Sequence, residues 1–451
     1  SAFSQCSSLE YINIPKSVTA IGPAAFARCS NLKSIRIDGA VTKIEYSTFS
    51  GCSNLSAVIL PSSVEEIEYN AFVDCTNLNS ITFSPKIIGP YAFAGCENLK
   101  VINWGDCLEE IGEYAFYKCN SIQNLELPQN LQKIGNHAFW KCDNLATVSY
   151  KENLSEVEES AFWQCRNLTA FDLSPEAHMS APKTIWAGAF YGCNKLTSTH
   201  RLNASVIGSG AFAGCDLTSL KDIITDATTH IKEDAFSGCT KLTSVTIPRG
   251  VTQINLGAFI NCDNLTEVIF EAEKCTVISN SAIYPSKSVF SPGITKLTIG
   301  NQVTQIPECI FYGCTGLTSV DIPKSVTEIG ASAFNSCSNL ASVSIGNSVD
   351  SIGARAFYSS GLISINIPDS VKKIEMEAFM NCRNVKSISI GRSVESIGRD
   401  AFNGCNEKEV NVTAITPPAF AFRNFPFNYY ATLNVPNEAV GFYLRSPWKR
   451  F

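Results

Sequence analysis

The most reactive side chains in this chain are its 19 cysteines, since thiolates serve as nucleophiles, metal ligands and redox centres. Their spacing fits none of these roles. No CxxC pair occurs, and the closest two cysteines, Cys309 and Cys314, have no cluster of histidines to complete a zinc site, because the four histidines are scattered. Sixteen cysteines instead recur at one phase of a sequence repeat, and only Cys107, Cys275 and Cys309 lie outside it. The pattern therefore predicts a structural role for most of the thiols.

Sequence motifs of the common catalytic sites are missing as well. The chain has no GxSxG, HExxH, P-loop or paired-carboxylate pattern. Gly208-Ser209-Gly210 followed by Gly214 has the wrong spacing for a dinucleotide-binding loop, and these glycines fall at ordinary repeat positions. Asp and Glu occur mostly at variable positions, which is typical of a solvated face. We therefore predict a protein that is not an enzyme and that uses neither a cofactor nor a metal.

Four aromatic residues are the candidates for ligand binding. They share one place, directly after a recurring Ala-Phe dipeptide, and they are Tyr117, Trp140, Trp163 and Tyr191. The first four repeats carry only Ser, Ala, Ser and Val at this place. Exposed aromatic patches mark interaction sites, so four stacked rings would form a binding ladder. The alternative is that these rings pack on the longer loops near residues 174–188.

An internal repeat of 23 residues must position these side chains. The Ala-Phe dipeptide and a Cys three residues after the Phe define it, and the steps between phenylalanines also take values of 21, 22, 24 and 28. One degenerate copy, with Ile283 in the Phe position, fills the 52-residue gap before Phe311, so the chain has 18 phases. The repeat phenylalanines are Phe3, Phe26, Phe49, Phe72, Phe93, Phe116, Phe139, Phe162, Phe190, Phe212, Phe236, Phe259, Phe311, Phe334, Phe357, Phe379 and Phe402.

The copy that starts at Phe26 shows the elements of one repeat. Ile35 and Ile37 alternate with polar residues, which predicts a short strand with one buried face. A proline follows this strand in several copies and ends it. The segment before Ala-Phe often carries a glycine, which suits a turn, and the A-F-x-x-C stretch is interpreted as a single helical turn.

Such a unit cannot bury its apolar face alone, whereas stacked units can, each touching only its neighbours. Equivalent residues in stacked strands lie about 4.8 Å apart. The repeat cysteine then becomes a small buried hydrophobe, and Ser360 in one copy indicates that any small side chain suffices there. We expect burial to keep these thiols reduced, and we expect one elongated domain.

The motif L-x-x-I-x-I-P-x-x-V-x-x-I-G-x-x-A-F-x-x-C resembles the BspA-type leucine-rich repeat of bacterial surface proteins. The resemblance implies an α/β solenoid, a right-handed superhelix of about 18 repeats with a parallel sheet on its concave face and short helical turns elsewhere. It covers residues 1–406, and the tail of residues 407–451 resembles the C-terminal cap of Bacteroides-type members. The first residues lie in mid-repeat without a visible cap, so further residues upstream are expected.

Composition narrows the function further. The formal charge is −6, from 35 basic and 41 acidic residues, which gives no electrostatic case for nucleic acid. No run of 18 apolar residues occurs, so no transmembrane helix is predicted. The resemblance implies an exported recognition protein, periplasmic, secreted or held at the cell surface with or without a lipid anchor, that adheres to host or matrix proteins or to other bacteria. The alternative is a glycan-binding surface protein that uses the aromatic ladder, and in either case we expect a monomer.

Overall fold

The computed structural model describes residues 1–173, 183–200, 202–278, 285–420, 427 and 430–450. Over these residues the chain is a parallel-strand solenoid of about 17 turns of about 23 residues, with little helix. Two compact units divide it, Ser1–Ile223 (unit 1) and Ile224–Phe451 (unit 2). The predicted solenoid and its parallel strands are confirmed.

Unit 1 contains sixteen described strands in two rows. One row consists of a five-stranded sheet (β1, β2, β4, β6, β8) and a three-stranded sheet (β10, β12, β14), and the second row consists of β3, β5, β7, β9, β11, β13, β15 and β16, paired in that order. The strands are β1 Tyr11–Ile14, β2 Ser34–Ile37, β3 Lys43–Ile44, β4 Ala57–Ile59, β5 Glu66–Ile67, β6 Ser80–Phe83, β7 Ile87–Ile88, β8 Val101–Trp104, β9 Glu110–Ile111, β10 Asn124–Glu126, β11 Lys133–Ile134, β12 Thr147–Tyr150, β13 Glu156–Val157, β14 Ala170–Leu173, β15 Lys183–Ile185 and β16 Ala204–Ile207.

Unit 2 continues the same pattern over its described residues. Its parallel neighbours are β17-β19-β21, β18-β20-β22, β23-β25-β27-β29-β31-β33, β24-β26 and β28-β30-β32-β34. The elements are β17 His230–Ile231, β18 Ser244–Ile247, β19 Gln253–Asn255, β20 Glu267–Phe270, β21 Thr276–Ile278, β22 Lys296–Ile299, β23 Gln305–Ile306, β24 Ser319–Asp321, β25 Glu328–Ile329, β26 Ser342–Ser344, β27 Ser351–Ile352, β28 Ser364–Ile367, β29 Lys373–Ile374, β30 Ser387–Ile390, β31 Ser396–Ile397, β32 Glu409–Val412, β33 Ala419–Phe420, β34 Thr432–Asn434, the 3₁₀ helices Asn437–Ala439 and Pro447–Arg450, and the helix α1 Val440–Leu444.

The longer strands follow the predicted period of two. In β2, Ile35 and Ile37 are buried while Ser34 and Arg36 are exposed, and each residue pairs with its counterpart in the preceding repeat. The repeats also have a second, shorter strand, in the segment for which the sequence analysis predicted only a turn. Gly112 and Gly135 follow such strands because a Cβ there would come within 2.8 and 2.9 Å of the backbone of the preceding repeat.

The A-F-x-x-C stretch is not a helical turn, and that part of the prediction is wrong. Its backbone is a succession of turns with left-handed residues two places before and two places after the Phe, as at Tyr91 (φ 56°) and Gly95 (φ 75°) around Phe93. The left-handed residues send alternate N–H groups to the next repeat, so Phe93 N donates to the Ala115 carbonyl at 2.8 Å. A helical turn would have kept these hydrogen bonds inside one repeat.

The repeat phenylalanines form the centre of each unit. From Phe26 to Phe212 in unit 1, and over the described rings of unit 2, their side chains are buried, and neighbouring rings stack with centroids 5.0–6.0 Å apart. The degenerate copy differs from the prediction. Phe290 stacks between Phe259 (5.2 Å) and Phe311 (6.0 Å) and so holds the Phe position, while Ile283 lies outside the described residues. A ring fills the gap between two other rings better than an aliphatic side chain in the expected register.

The last residues of unit 2 pack on its final repeats. Strand β32 pairs with β30 and β34 with β32, so the sheet continues past the last repeat cysteine. Phe427 stacks on Phe402 at 5.0 Å, and Trp448, which is 1% exposed, packs on Phe427 and donates its indole N–H to the Pro418 carbonyl at 3.0 Å. Phe422, Phe425, Tyr429 and Phe451, four of the aromatic residues in this tail, lie outside the described residues.

Candidate functional site

The four aromatic residues predicted to form a ladder do stack in unit 1. Ring centroids are 5.1 Å apart between Tyr117 and Trp140, 6.1 Å between Trp140 and Trp163, and 5.3 Å between Trp163 and Tyr191. Tyr191 is 45% exposed, and the other three side chains are half-buried. They are therefore neither core residues nor freely solvated ones.

A second row of rings, absent from the sequence prediction, joins the first. Tyr46 stacks on Tyr69, Tyr69 meets Tyr91 edge-on, Tyr91 stacks on Tyr114, and Tyr114 stacks on His137, with centroids 5.8, 5.7, 4.7 and 4.6 Å apart. The rows meet where Tyr114 and His137 contact the Trp140 ring at 5.8 and 5.3 Å. We call the combined surface the aromatic strip; it consists of Tyr46, Tyr69, Tyr91, Tyr114, His137, Tyr117, Trp140, Trp163 and Tyr191.

The turn backbone places both rows on the outside of the solenoid. The first row follows the buried Phe directly, and the second row lies two or three residues before it, so both flank the same buried ring. Tyr46 and Tyr69 precede the left-handed residue of their turns, whereas Tyr91 (φ 56°), Tyr114 (φ 54°) and His137 (φ 55°) are themselves the left-handed residue. The distance from the tyrosine to its Phe changes from three residues to two at the 21-residue step between Phe72 and Phe93. The ring contact across this step, between Tyr69 and Tyr91, is edge-on.

Charged groups lie beside both rows of the strip. Along the first row, Lys118 and Lys141 hold their ammonium nitrogens 5.1 and 5.2 Å from the Tyr117 and Trp140 ring centroids, within the range of cation–π attraction. Carboxylates border the second row: Glu45 and Glu68 are next in sequence to Tyr46 and Tyr69, and Glu113 and Glu159 precede Tyr114 and Ser160. We call these four residues the acidic edge.

Burial controls the polar atoms inside the strip. It lowers the pKa of His137 below its ordinary value, against the opposing charges of Glu159 and Glu113, so the ring is held neutral at pH 7. Burial and the neighbouring tyrosines and Glu113 raise the pKa of Tyr91. Among the described residues, the indole N–H groups of Trp140 and Trp163 are buried without an acceptor. A buried unpaired donor costs about 1–3 kcal/mol, so the rings are held here by stacking rather than by polar contacts.

The strip is only partly visible in the sequence. Tyr46, Tyr69, Tyr91, Tyr114 and His137 do not share one repeat phase, because the first two stand three residues before their Phe and the others stand two before it. Alignment on the Phe alone splits the row. The signal that would have found it is the recurrence of an aromatic residue in five consecutive repeats within a window of two positions.

The thiols take the structural role that their phase predicted. Seventeen cysteines are buried, including Cys275 and Cys309, and the thiol of each typical repeat donates to the carbonyl oxygen of the Phe one repeat earlier, as from Cys75 to Phe49 at 3.2 Å. The exceptions are Cys107 and, contrary to the predicted buried phase, Cys6, both exposed. Ser360 stands at the cysteine position of its repeat. Its hydroxyl forms a hydrogen bond with the Cys382 sulfur at 3.1 Å, in which either atom can be the donor.

We expect native thiol labelling to distinguish these groups. Burial raises the pKa of Cys52, Cys262 and Cys314 to about 12, so almost no thiolate is present at neutral pH. A maleimide reagent at pH 7 should modify Cys6 and Cys107 within minutes and the buried thiols only in denaturant, as counted by intact mass. Labelling of most of the 19 cysteines without denaturant, or inter-repeat disulfides in a non-reduced digest, would contradict the buried-thiol interpretation.

No three His, Cys, Asp or Glu side chains of the described residues are grouped as a metal ion would need. No helix among the same residues is both long and apolar enough to cross a bilayer.

Comparison with known proteins shows which repeat family the sequence matches. The profile of the BspA type leucine rich repeat region (6 copies) matches residues 1–88, 84–179, 178–290 and 286–409. None of the curated proteins matches the chain.

Three solved structures illustrate the similarity. A leucine-rich repeat protein from Bacteroides ovatus is 22% identical, with 95% of this chain and 92% of that chain covered and a TM-score of 0.52, which supports the fold. A leucine rich cell surface protein from Faecalibacterium prausnitzii is 23% identical, with 84% and 87% covered and a TM-score of 0.37. A leucine rich repeat protein from T. pallidum is 32% identical over 35% of this chain and 76% of that chain, with a TM-score of 0.32.

Proposed function

Because the chain belongs to the BspA-type leucine-rich repeat family, whose profile matches most of its length, we propose that it is an exported or surface-displayed, non-catalytic protein that binds a protein partner through the aromatic strip. The observation that carries this proposal is the strip itself: nine contiguous rings, of which Tyr46, Tyr69 and Tyr191 are 45–49% exposed. Exposed apolar patches of this kind mark interaction sites on soluble proteins.

A protein partner fits this surface better than a carbohydrate. Tyrosine and tryptophan supply large rigid contact areas at low entropic cost, which is why they dominate protein interfaces. The indole N–H groups of Trp140 and Trp163 are buried, so the two rings would contact a partner through their faces and edges. Binding to oligosaccharides stays an outcome of the experiment below.

The combined variant Trp140→Ala/Trp163→Ala is expected to weaken binding about tenfold or more, since interface tryptophans contribute about 2 kcal/mol or more each where they are anchors. The chain would be immobilised and tested against purified matrix and serum proteins and against an oligosaccharide array. Acrylamide quenching of the native protein checks that both indoles are partly accessible.

Tyr11→Ala is the matched control, because Tyr11 is 62% exposed in unit 1 and lies on strand β1, outside the strip. Equal binding by the double variant and the control would contradict the proposal. Binding to oligosaccharides alone would replace the protein partner by a glycan.

A further inference from the structure

We propose that the segment recognised by the aromatic strip is an extended, basic stretch of polypeptide, whose Arg or Lys side chains lie on the tyrosine row and pair with the acidic edge. This inference rests on the proposed function and names the chemistry of the partner.

The tyrosine row, Tyr46, Tyr69, Tyr91 and Tyr114, is a regular series of ring faces and edges. Its three steps are 5.8, 5.7 and 4.7 Å. Alternate side chains of an extended chain are about 6.6 Å apart and point to the same side, so a peptide lying along the row presents one long side chain for nearly every ring. The repeat geometry therefore favours an extended segment over a helix.

The carboxylates lie where the cationic ends of such side chains would reach. Glu68 Oε2 accepts a hydrogen bond from Tyr46 N at 3.1 Å, which fixes this carboxylate beside the first ring. The backbone carbonyl of Glu113 accepts from Tyr91 N at 2.8 Å, and that of Glu159 accepts from His137 N at 2.9 Å, so both residues border the row. Glu113 and Glu159 are exposed, and no ion pair is recorded for either among the described residues.

Like charges on this edge favour a cation. Glu45 and Glu68 lie close together, and burial and the Glu68 carboxylate raise the pKa of Glu45. Lys43 is the nearby basic group; its ammonium contacts Glu66 at 2.6 Å and reaches Glu68 only at 3.5 Å. A guanidinium between Glu45 and Glu68 would relieve their repulsion and form charge-assisted hydrogen bonds.

The protein already contains an internal example of this recognition. Lys118 and Lys141 place their ammonium groups over Tyr117 and Trp140, which shows that strip rings accept cations on their faces. Among the described residues, no lysine ammonium lies over the exposed rings of Tyr46 and Tyr69. Unit 1 also carries the whole net charge of −6, with 22 acidic and 16 basic residues, whereas unit 2 is neutral. This field would attract a basic partner and repel an acidic one.

The experiment uses three capped twelve-residue peptides, alternating Arg–Ser, Gln–Ser and Glu–Ser, titrated into the full chain by calorimetry at 50 and 300 mM NaCl. We expect binding of the Arg–Ser peptide only, weaker at the higher salt. Tyr46→Ala/Tyr69→Ala should reduce its affinity about fivefold or more, and Glu45→Gln/Glu68→Gln about threefold or more. The controls Tyr11→Ala and Glu126→Gln, at exposed residues of strands β1 and β10, should bind as the unsubstituted protein does.

Two results would overturn the inference: equal binding of the Gln–Ser peptide, or unchanged Arg–Ser affinity in both strip variants. The inference and the proposed function fail differently. If Trp140→Ala/Trp163→Ala abolishes capture of a protein partner while the Arg–Ser peptide does not bind, the strip is a protein site for another kind of segment. If the indole variant leaves every interaction intact, the proposed function itself is wrong.

Discussion

Phe334→Ala is expected to lower the free energy of unfolding by about 3–5 kcal/mol. The Phe334 ring is 0% exposed and stacks between Phe311 at 5.4 Å and Phe357 at 5.3 Å, so its removal leaves a cavity between two repeats. The rings on either side cannot close this gap, because inter-repeat backbone hydrogen bonds such as Phe334 N to Ala356 O at 2.7 Å fix the repeat spacing. Chemical denaturation followed by circular dichroism measures the loss.

The damage should be local, because each repeat contacts only its neighbours. Amide hydrogen exchange is expected to rise around Phe311, Phe334 and Phe357 and to stay unchanged around Phe116. Ile363→Ala serves as the control, since Ile363 is 48% exposed and its truncation should cost well under about 1 kcal/mol. An equal rise in exchange at Phe116 would show that the repeats do not unfold as nearest-neighbour units.

Deletion of residues 407–451 is expected to produce an aggregating protein. The deletion removes β32 and β34, which leaves the backbone edge of β30 unpaired. It also removes Phe427 and Trp448, which uncovers the buried Phe402 ring. An exposed strand edge beside an uncovered apolar end is a template for association with a second chain. Size-exclusion chromatography with light scattering would detect the aggregates.

Single substitutions within residues 407–451 test whether the buried contacts of this segment stabilise the protein. Trp448→Ala should lower the melting temperature, because Trp448 is 1% exposed and packs on Phe420 and Phe427 at 4.9 and 5.2 Å. Phe442→Ala, at a side chain that is 56% exposed, should have little effect. A truncated chain that is soluble, monomeric and as stable as the full one would instead make residues 407–451 a separate module.

The sequence by itself determined the features that depend on what recurs at a fixed phase. The Ala-Phe dipeptide, the cysteine three residues later and the alternating strand residues all repeat. A buried position has similar surroundings in every repeat, so it selects the same residue type each time. The solenoid, its parallel strands, the burial of most thiols and the stacking of Tyr117, Trp140, Trp163 and Tyr191 followed from this. Each is a contact between equivalent positions of adjacent repeats, so the period alone fixes which residues meet.

The tertiary structure decided what depends on backbone path and on departures from the period. The A-F-x-x-C stretch forms turns with single left-handed residues instead of a helical turn, because alternate N–H groups bond to the next repeat, and such a choice between local and inter-repeat hydrogen bonds is invisible in side-chain patterning. Phe290 rather than Ile283 continues the ring stack, since an insertion shifts the register and ring packing selects the partner. Tyr69 and Tyr91 meet despite different offsets from their Phe, because side chains need only reach the same surface, and that distance is a property of the folded chain.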